Sequence, residues 1–121
     1  MVEAVRLLAS PFPDQVEAFP PWVNVADEVA LTFDDAFEAL DRSATPGSVL
    51  YELTVLDGLL REMSRDPLSA NWLPVGLEDG ESWAAVRGVA LRALREMGVP
   101  YDKPRLDSVR FVQAPAGKQS T

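Results

Sequence analysis

Three stretches of this chain repeat apolar residues at intervals of three and four, and no comparable stretch repeats them at intervals of two. A period near 3.6 suits a helix with one buried face and suits no strand, so the chain is constrained toward helix-on-helix packing. The first stretch carries Ala26, Val29, Ala30, Phe33, Ala36, Phe37 and Leu40 on one face. The second carries Val49, Leu53, Leu56, Leu59, Leu60 and Met63, and the third Trp83, Val86, Val89, Ala90, Ala93, Leu94 and Met97. Each has boundary signals. Asn24 is a good N-cap, with Asp27 three residues on completing a pair like a capping box. Thr45 and Pro46 suit the cap and first position of the second helix, and Asp66-Pro67 ends it. Gly98 followed by Pro100 stops the third.

Between these helices the chain reads as irregular. "SPFPDQVEAFPPW" sets four prolines around one helical turn, giving an arm held by Phe12, Phe19 and Trp22. "PLSANWLPVGLEDG" reads as a loop anchored by Trp72 and Leu73. Residues 1–9 suit either a strand or a helical turn, and "RLDSVRFVQ" alternates weakly. The expected fold is therefore mainly α: a small three- to four-helix bundle, with a short two-stranded β ribbon from the N-terminal segment and residues 106–112 as an added element. The expected organisation is one helical domain over residues 1–112 and a flexible tail over 113–121.

With 121 residues, 47% of them apolar, the chain can bury one core. The opening "MVEAVRLLAS" lacks the basic start and long apolar run of a secretory signal, so a soluble cytoplasmic protein of bacterial style is expected. There is no cysteine and no histidine. Within this chain that removes disulfides, thiolate metal sites and cysteine nucleophiles, together with the commonest general base and transition-metal ligand. G-x-S-x-G and the glycine-rich phosphate loops are absent, and Ser48 in "PGSVL" reads as a first-turn helix residue. The aromatic residues Trp22, Phe33, Phe37, Trp72 and Trp83 read as core, and Arg87 as a partner for Trp83 or for a carboxylate.

Charge is the remaining signal. The net charge is −8, and it is concentrated: residues 1–60 hold eleven acids against two bases, and no Lys or Arg lies between Arg6 and Arg42. Such a field disfavours direct nucleic-acid binding and anionic membranes and attracts basic proteins. The segment "ADEVALTFDDAFEALDR" puts Asp27, Asp34, Asp35, Glu38 and Asp41 on one face, with Glu28 at its edge and Leu31 among them. Asp27 and Glu28 suit the positive start of a helix. Asp34, Asp35, Glu38 and Asp41 are instead like-charged neighbours, relieved only by a Glu38–Arg42 spacing.

This pattern leads to an expected function. A small acidic interaction protein would bind and neutralise a basic protein partner, in the manner of an immunity protein, antitoxin or inhibitor of a nucleic-acid enzyme. Its partner-binding residues would be Leu31, Asp34, Asp35, Glu38 and Asp41, without cofactor, metal or catalytic residue. The alternative is a magnesium-dependent all-α nucleotide hydrolase, with Glu38 and Asp41 as ligands and Glu52 or Asp57 opposite. A third reading is a subunit that forms a homodimer through an apolar face. Pairing of the acidic face with Arg87, Arg92 or Arg95 inside the fold would weaken the first reading.

Overall fold

A computed structural model of the chain describes residues 1–105. Those residues form six α-helices: α1 (Val2–Ala9), α2 (Phe12–Glu17), α3 (Val25–Glu38), α4 (Gly47–Ser64), α5 (Pro74–Asp79) and α6 (Glu81–Met97). Short 3-10 turns at Arg42–Ala44 and Ala70–Trp72 lie in two of the connections. No strand occurs among the described residues. The ribbon expected from the N-terminal segment is thus corrected: that segment is α1, whose Ala4, Val5, Leu7, Leu8 and Ala9 are all buried. A five-residue buried set over eight positions wraps too far round for a strand with one wet face, and helix geometry accommodates it between two neighbours. Residues 106–112, the other half of the expected ribbon, and 113–121, the expected tail, lie outside the described residues.

The packing order explains where the core sits. α1 packs against both α6 and α3, and α4 packs along α6, while α3 and α4 meet more sparsely. Phe33, Leu53, Leu56, Val86, Ala90 and Leu94 face inward from the long helices. On α3, Phe33 and Phe37 stack with ring centroids 5.5 Å apart. The sparse α3–α4 contact leaves a groove, to which the candidate site belongs.

The boundary signals are mostly realised. Asn24 Oδ1 accepts from the Asp27 backbone N–H at 3.1 Å, and its Nδ2 donates to the Trp72 carbonyl at 3.0 Å. One side chain thereby caps α3 and ties it to the loop after α4. Asn24→Ala is expected to cost about 1–2 kcal/mol, because the cap and a loop tie go together; urea denaturation reads this directly. Gly98 adopts φ 69°, the left-handed conformation expected of a helix stop. At the second helix the expectation shifts by one residue. Pro46 is the N-cap and Gly47 the first helical residue, while Thr45 Oγ1 donates back to the Asp41 carbonyl at 2.8 Å.

The two segments read as irregular contain further helix. Phe12–Glu17 forms α2, with Pro13 in its first turn. Phe19 is buried, but Trp22 is 56% exposed and does not hold the arm. In the later segment Trp72 is buried and Leu73 is 53% exposed, so the anchor is Trp72 alone of that pair. Trp72 meets Trp83 edge-on at 6.0 Å, and their indole N–H groups donate to the carbonyls of Met63 and Asn71 respectively. α5 lies so close to this turn that a Cβ at Gly76 would collide with the Ala70 carbonyl.

Among the described residues, Arg87 neither stacks on Trp83 nor pairs with a carboxylate. Its Nε donates to the Ser10 carbonyl at 2.9 Å, and its Nη2 donates to the Leu77 carbonyl at 2.8 Å and to Gln15 Oε1 at 3.4 Å. Gln15, fully buried, donates in turn to the Leu7 carbonyl. A guanidinium here satisfies orphan carbonyls at the ends of α1 and α5, where positive charge is favoured. Its burial without an anion lowers its pKa.

Beyond Gly98 the chain returns along α1 and α2. Arg6 donates to the Pro100 carbonyl, Tyr101 Oη hydrogen-bonds with Ser10 Oγ at 2.9 Å, and Lys103 Nζ reaches Glu17 at 2.8 Å. Burial raises the Tyr101 phenol above its usual value of 10.0, with Asp14 adding to the shift. A raised folded pKa means that this contact is fully present below the unfolded pKa and is lost as pH rises through the folded one. The phenolate absorbance missing from Tyr101→Phe is therefore expected to titrate above about pH 10, with release of residues 100–105 read by amide exchange.

Candidate functional site

Helices α3 and α4 wall a groove of about 660 Å³. Its floor is apolar, formed by Ala30, Phe33, Leu60 and Trp72. Phe33 is fully buried within the core, and Leu60 and Trp72 are nearly so, so the floor is the outer side of the core itself. The α3 wall carries Asp27, Glu28, Leu31, Asp34 and Glu38; the α4 side carries Asp57, Arg61, Ser64 and Pro67. These positions follow from helical spacing. Residues 27, 31, 34 and 38 recur at intervals of four, three and four and form one stripe beside the buried stripe of α3.

The electrostatics of this groove are one-sided. Among the described residues, five carboxylates line it against one guanidinium. Arg61 Nε donates to Asp57 Oδ2 at 2.8 Å across one helical turn, with the Arg61 side chain 76% exposed and Asp57 17% exposed. Arg61 has its pKa raised by the hydrogen bond to Asp57, by the charge of Asp57 and then by those of Asp34 and Glu38. The guanidinium therefore stands in the field of both walls. Leu31 is 51% exposed within the acidic wall. Leu68 and Leu73, next in the chain to the lining residues Pro67 and Trp72, are also exposed.

The residues expected from the sequence divide by position. Leu31, Asp34 and Glu38 come together on the groove wall. Asp35 is exposed and does not line the groove. Asp41 has left the helix: its Oδ1 accepts from the Ser43 backbone N–H at 3.1 Å and from Ser43 Oγ at 2.7 Å. Those hydrogen bonds lower its pKa and explain the carboxylate as the cap of the Arg42–Ala44 turn. Arg42 lies over the Phe37 ring at 4.5 Å, and no Glu38–Arg42 ion pair forms among the described residues.

Asp27 and Glu28, which the sequence explains by the helix start alone, also line the groove. Asp57 and Arg61 join them from the second wall. Their i,i+4 spacing was visible in the sequence, but nothing in it says that this edge of α4 faces α3. Of the three arginines that could have neutralised the acidic face, two are engaged elsewhere and Arg95 is not on the groove lining. Arg87 serves carbonyls and Gln15, and Arg92 lies 3.5 Å from Glu52 on the α4–α6 side.

The same placements bear on the magnesium alternative. Glu38 and Asp57 share the groove, but Glu52 faces α6 and Asp41 is spent on its cap. Among the described residues no three carboxylates are grouped so as to hold a metal ion. No helix among them is long and apolar enough to cross a membrane. What the groove can do chemically is receive a cationic, partly apolar segment, with charge on its walls and apolar surface beneath. No protein-family model matches this chain, and no match is found among curated proteins or solved structures.

Proposed function

We propose that this protein is an interaction module that binds and neutralises a basic protein partner, seating a cationic segment of it in the α3–α4 groove. The carrying observation is the pairing of an apolar floor with five carboxylates and a single internal cation on its lining. Charge of one sign on both walls steers a partner of opposite sign and repels nucleic acid. The apolar floor and exposed Leu31 supply the non-polar contact that charge alone does not give. Blocking follows from occupancy: a partner whose basic surface serves phosphate loses that surface when carboxylates cover it.

The test is a comparison of capture at low and high salt by the natural chain and by Asp34→Lys/Glu38→Lys. A basic protein should be retained by the natural chain at low salt, released at high salt and missed by the variant. Equal retention by both chains would remove the groove from the interaction.

A further inference from the structure

We propose that the groove receives one face of a cationic amphipathic helix, and that Arg61 is the internal competitor that an arginine of that helix displaces from Asp57. The inference rests on the reading of the groove as a protein-binding site and goes beyond it by stating the shape of the occupant and how the site is regulated.

The geometry of the groove points to a helix. Along α3 its acidic lining runs from Asp27 to Glu38, about 16 Å at the helical rise of about 1.5 Å per residue. That is about three turns of a partner helix lying alongside. Along the wall at helical spacing one apolar residue, Leu31, stands between two acidic sets, Asp27 and Glu28 before it and Asp34 and Glu38 after it. An amphipathic helix offers the complement, an apolar stripe for the floor with a cation on each edge for the walls. A 660 Å³ trough has room for several side chains side by side. An extended strand would instead need a sheet edge with free backbone groups, and the described residues hold no strand.

Arg61 supplies the second half of the inference. Among the described residues it is the one basic residue on the lining; it is hydrogen-bonded to Asp57 and stands in the field of Asp34 and Glu38. It touches Asp57 through Nε alone among the contacts found, and the side chain is 76% exposed. An exposed pair of this kind is weak and easily exchanged. Arg61 can swing into solvent without disturbing the core, whereas Asp57 is largely enclosed and stays in place. A guanidinium arriving on a docked helix would therefore meet a seat occupied by the same chemical group on a loose tether. Removing that tether frees a carboxylate and removes a repulsive charge from the path of entry.

The probe is a synthetic peptide with leucines at helical spacing flanked on both edges by arginines, titrated into the full chain. Backbone amide shifts locate the site and isothermal calorimetry gives the affinity. Arg61→Gln is expected to tighten binding on the order of fivefold, and Asp57→Asn to weaken it on the order of tenfold. Arg65→Gln is the control for net charge. It lies one turn further on, as the C-cap of α4, equally exposed, paired with Glu62 and off the groove lining, and should change affinity by less than about twofold.

Thermal midpoints of all variants establish that each is folded. Shifts in the groove with equal effects of Arg61→Gln and Arg65→Gln would overturn the competitor and leave the groove reading standing. Equal affinity for a peptide of the same composition with its helix broken by proline would overturn the helical occupant. Shifts that avoid residues 27–38 and 57–64, or no binding at all, would overturn the groove reading and this inference with it.

Discussion

Trp83→Ala is expected to lower the free energy of unfolding by about 3–5 kcal/mol. The side chain is 1% exposed and is among the largest fully buried side chains of the protein. Truncation removes its edge contact with Trp72 and leaves a cavity where α5 and α6 meet the turn after α4. It also deprives the Asn71 carbonyl of the indole N–H that donates to it at 2.8 Å. Collapse is opposed on the side of α5, where the backbone at Gly76 already packs too closely on Ala70 to admit a Cβ. A domain of this size has about 5–15 kcal/mol in total, so the variant would lose a large share of it. Urea denaturation with the slope held common to both proteins gives the number. Trp83→Phe, which keeps one aromatic ring but loses the fused pyrrole ring and its N–H donor, should recover only part of the loss. A loss below about 1 kcal/mol for the alanine variant would contradict the packing described around this residue.

Asp34→Lys with Glu38→Lys is expected to slow association with a basic partner by about 10–100-fold at low ionic strength. Each reversal changes the charge by two, so the net −8 becomes −4. The local change is larger, since five carboxylates against one cation on the groove become three against three. Steering depends on that local field, and it is screened beyond about 8–10 Å at physiological salt. The natural and altered chains should therefore converge as salt is raised, with the salt dependence flattened in the variant. Dissociation should change less, because the apolar floor and Leu31 are untouched. Stopped-flow association with the captured partner measures both rates, and circular dichroism checks that the helices persist. Asp35→Lys against Asp34→Lys is the matched comparison: the two make the same charge change on the same helix, but Asp35 lies off the groove and should have the smaller effect. Identical on-rates for Asp35→Lys and Asp34→Lys would mean that the whole face, rather than the groove, does the steering.

Much of α3, α4 and α6 was legible because each carries its own period and its own stops. The inward faces of these helices were read residue by residue, and Asn24 and Gly98 perform the roles their chemistry allows. The first nine residues were ambiguous for a physical reason. The segment α1 is only eight residues long, and although Glu3 and Arg6 lie one helical turn apart opposite its buried face, so few repeats do not separate a helix from a strand. The prolines of the arm drew attention to breaks and hid α2, since proline at the start of a helix favours it.

The candidate site was legible in part. Leu31, Asp34 and Glu38 were read from one helical face, and they do line the groove. Asp41 was misplaced by extending the helix past Glu38, whereas the carboxylate caps the next turn. Asp27 and Glu28 lie in the first turn of α3 and also line the groove, and a helix-start explanation sufficient on its own concealed the second placement. Tertiary structure supplied the opposite wall.

The sequence by itself determined that the protein is helical, where its long helices run, which face of each is buried, and that negative charge gathers on α3. Those properties follow from local periodicity, capping chemistry and composition, which are complete within a few turns of chain. Only the tertiary structure decided that α1 lies between α3 and α6, that Trp72 closes the floor and that Asp57 and Arg61 face the acids of α3. These are relations between residues tens of positions apart, set by which apolar stripes fit together, and no local pattern encodes them.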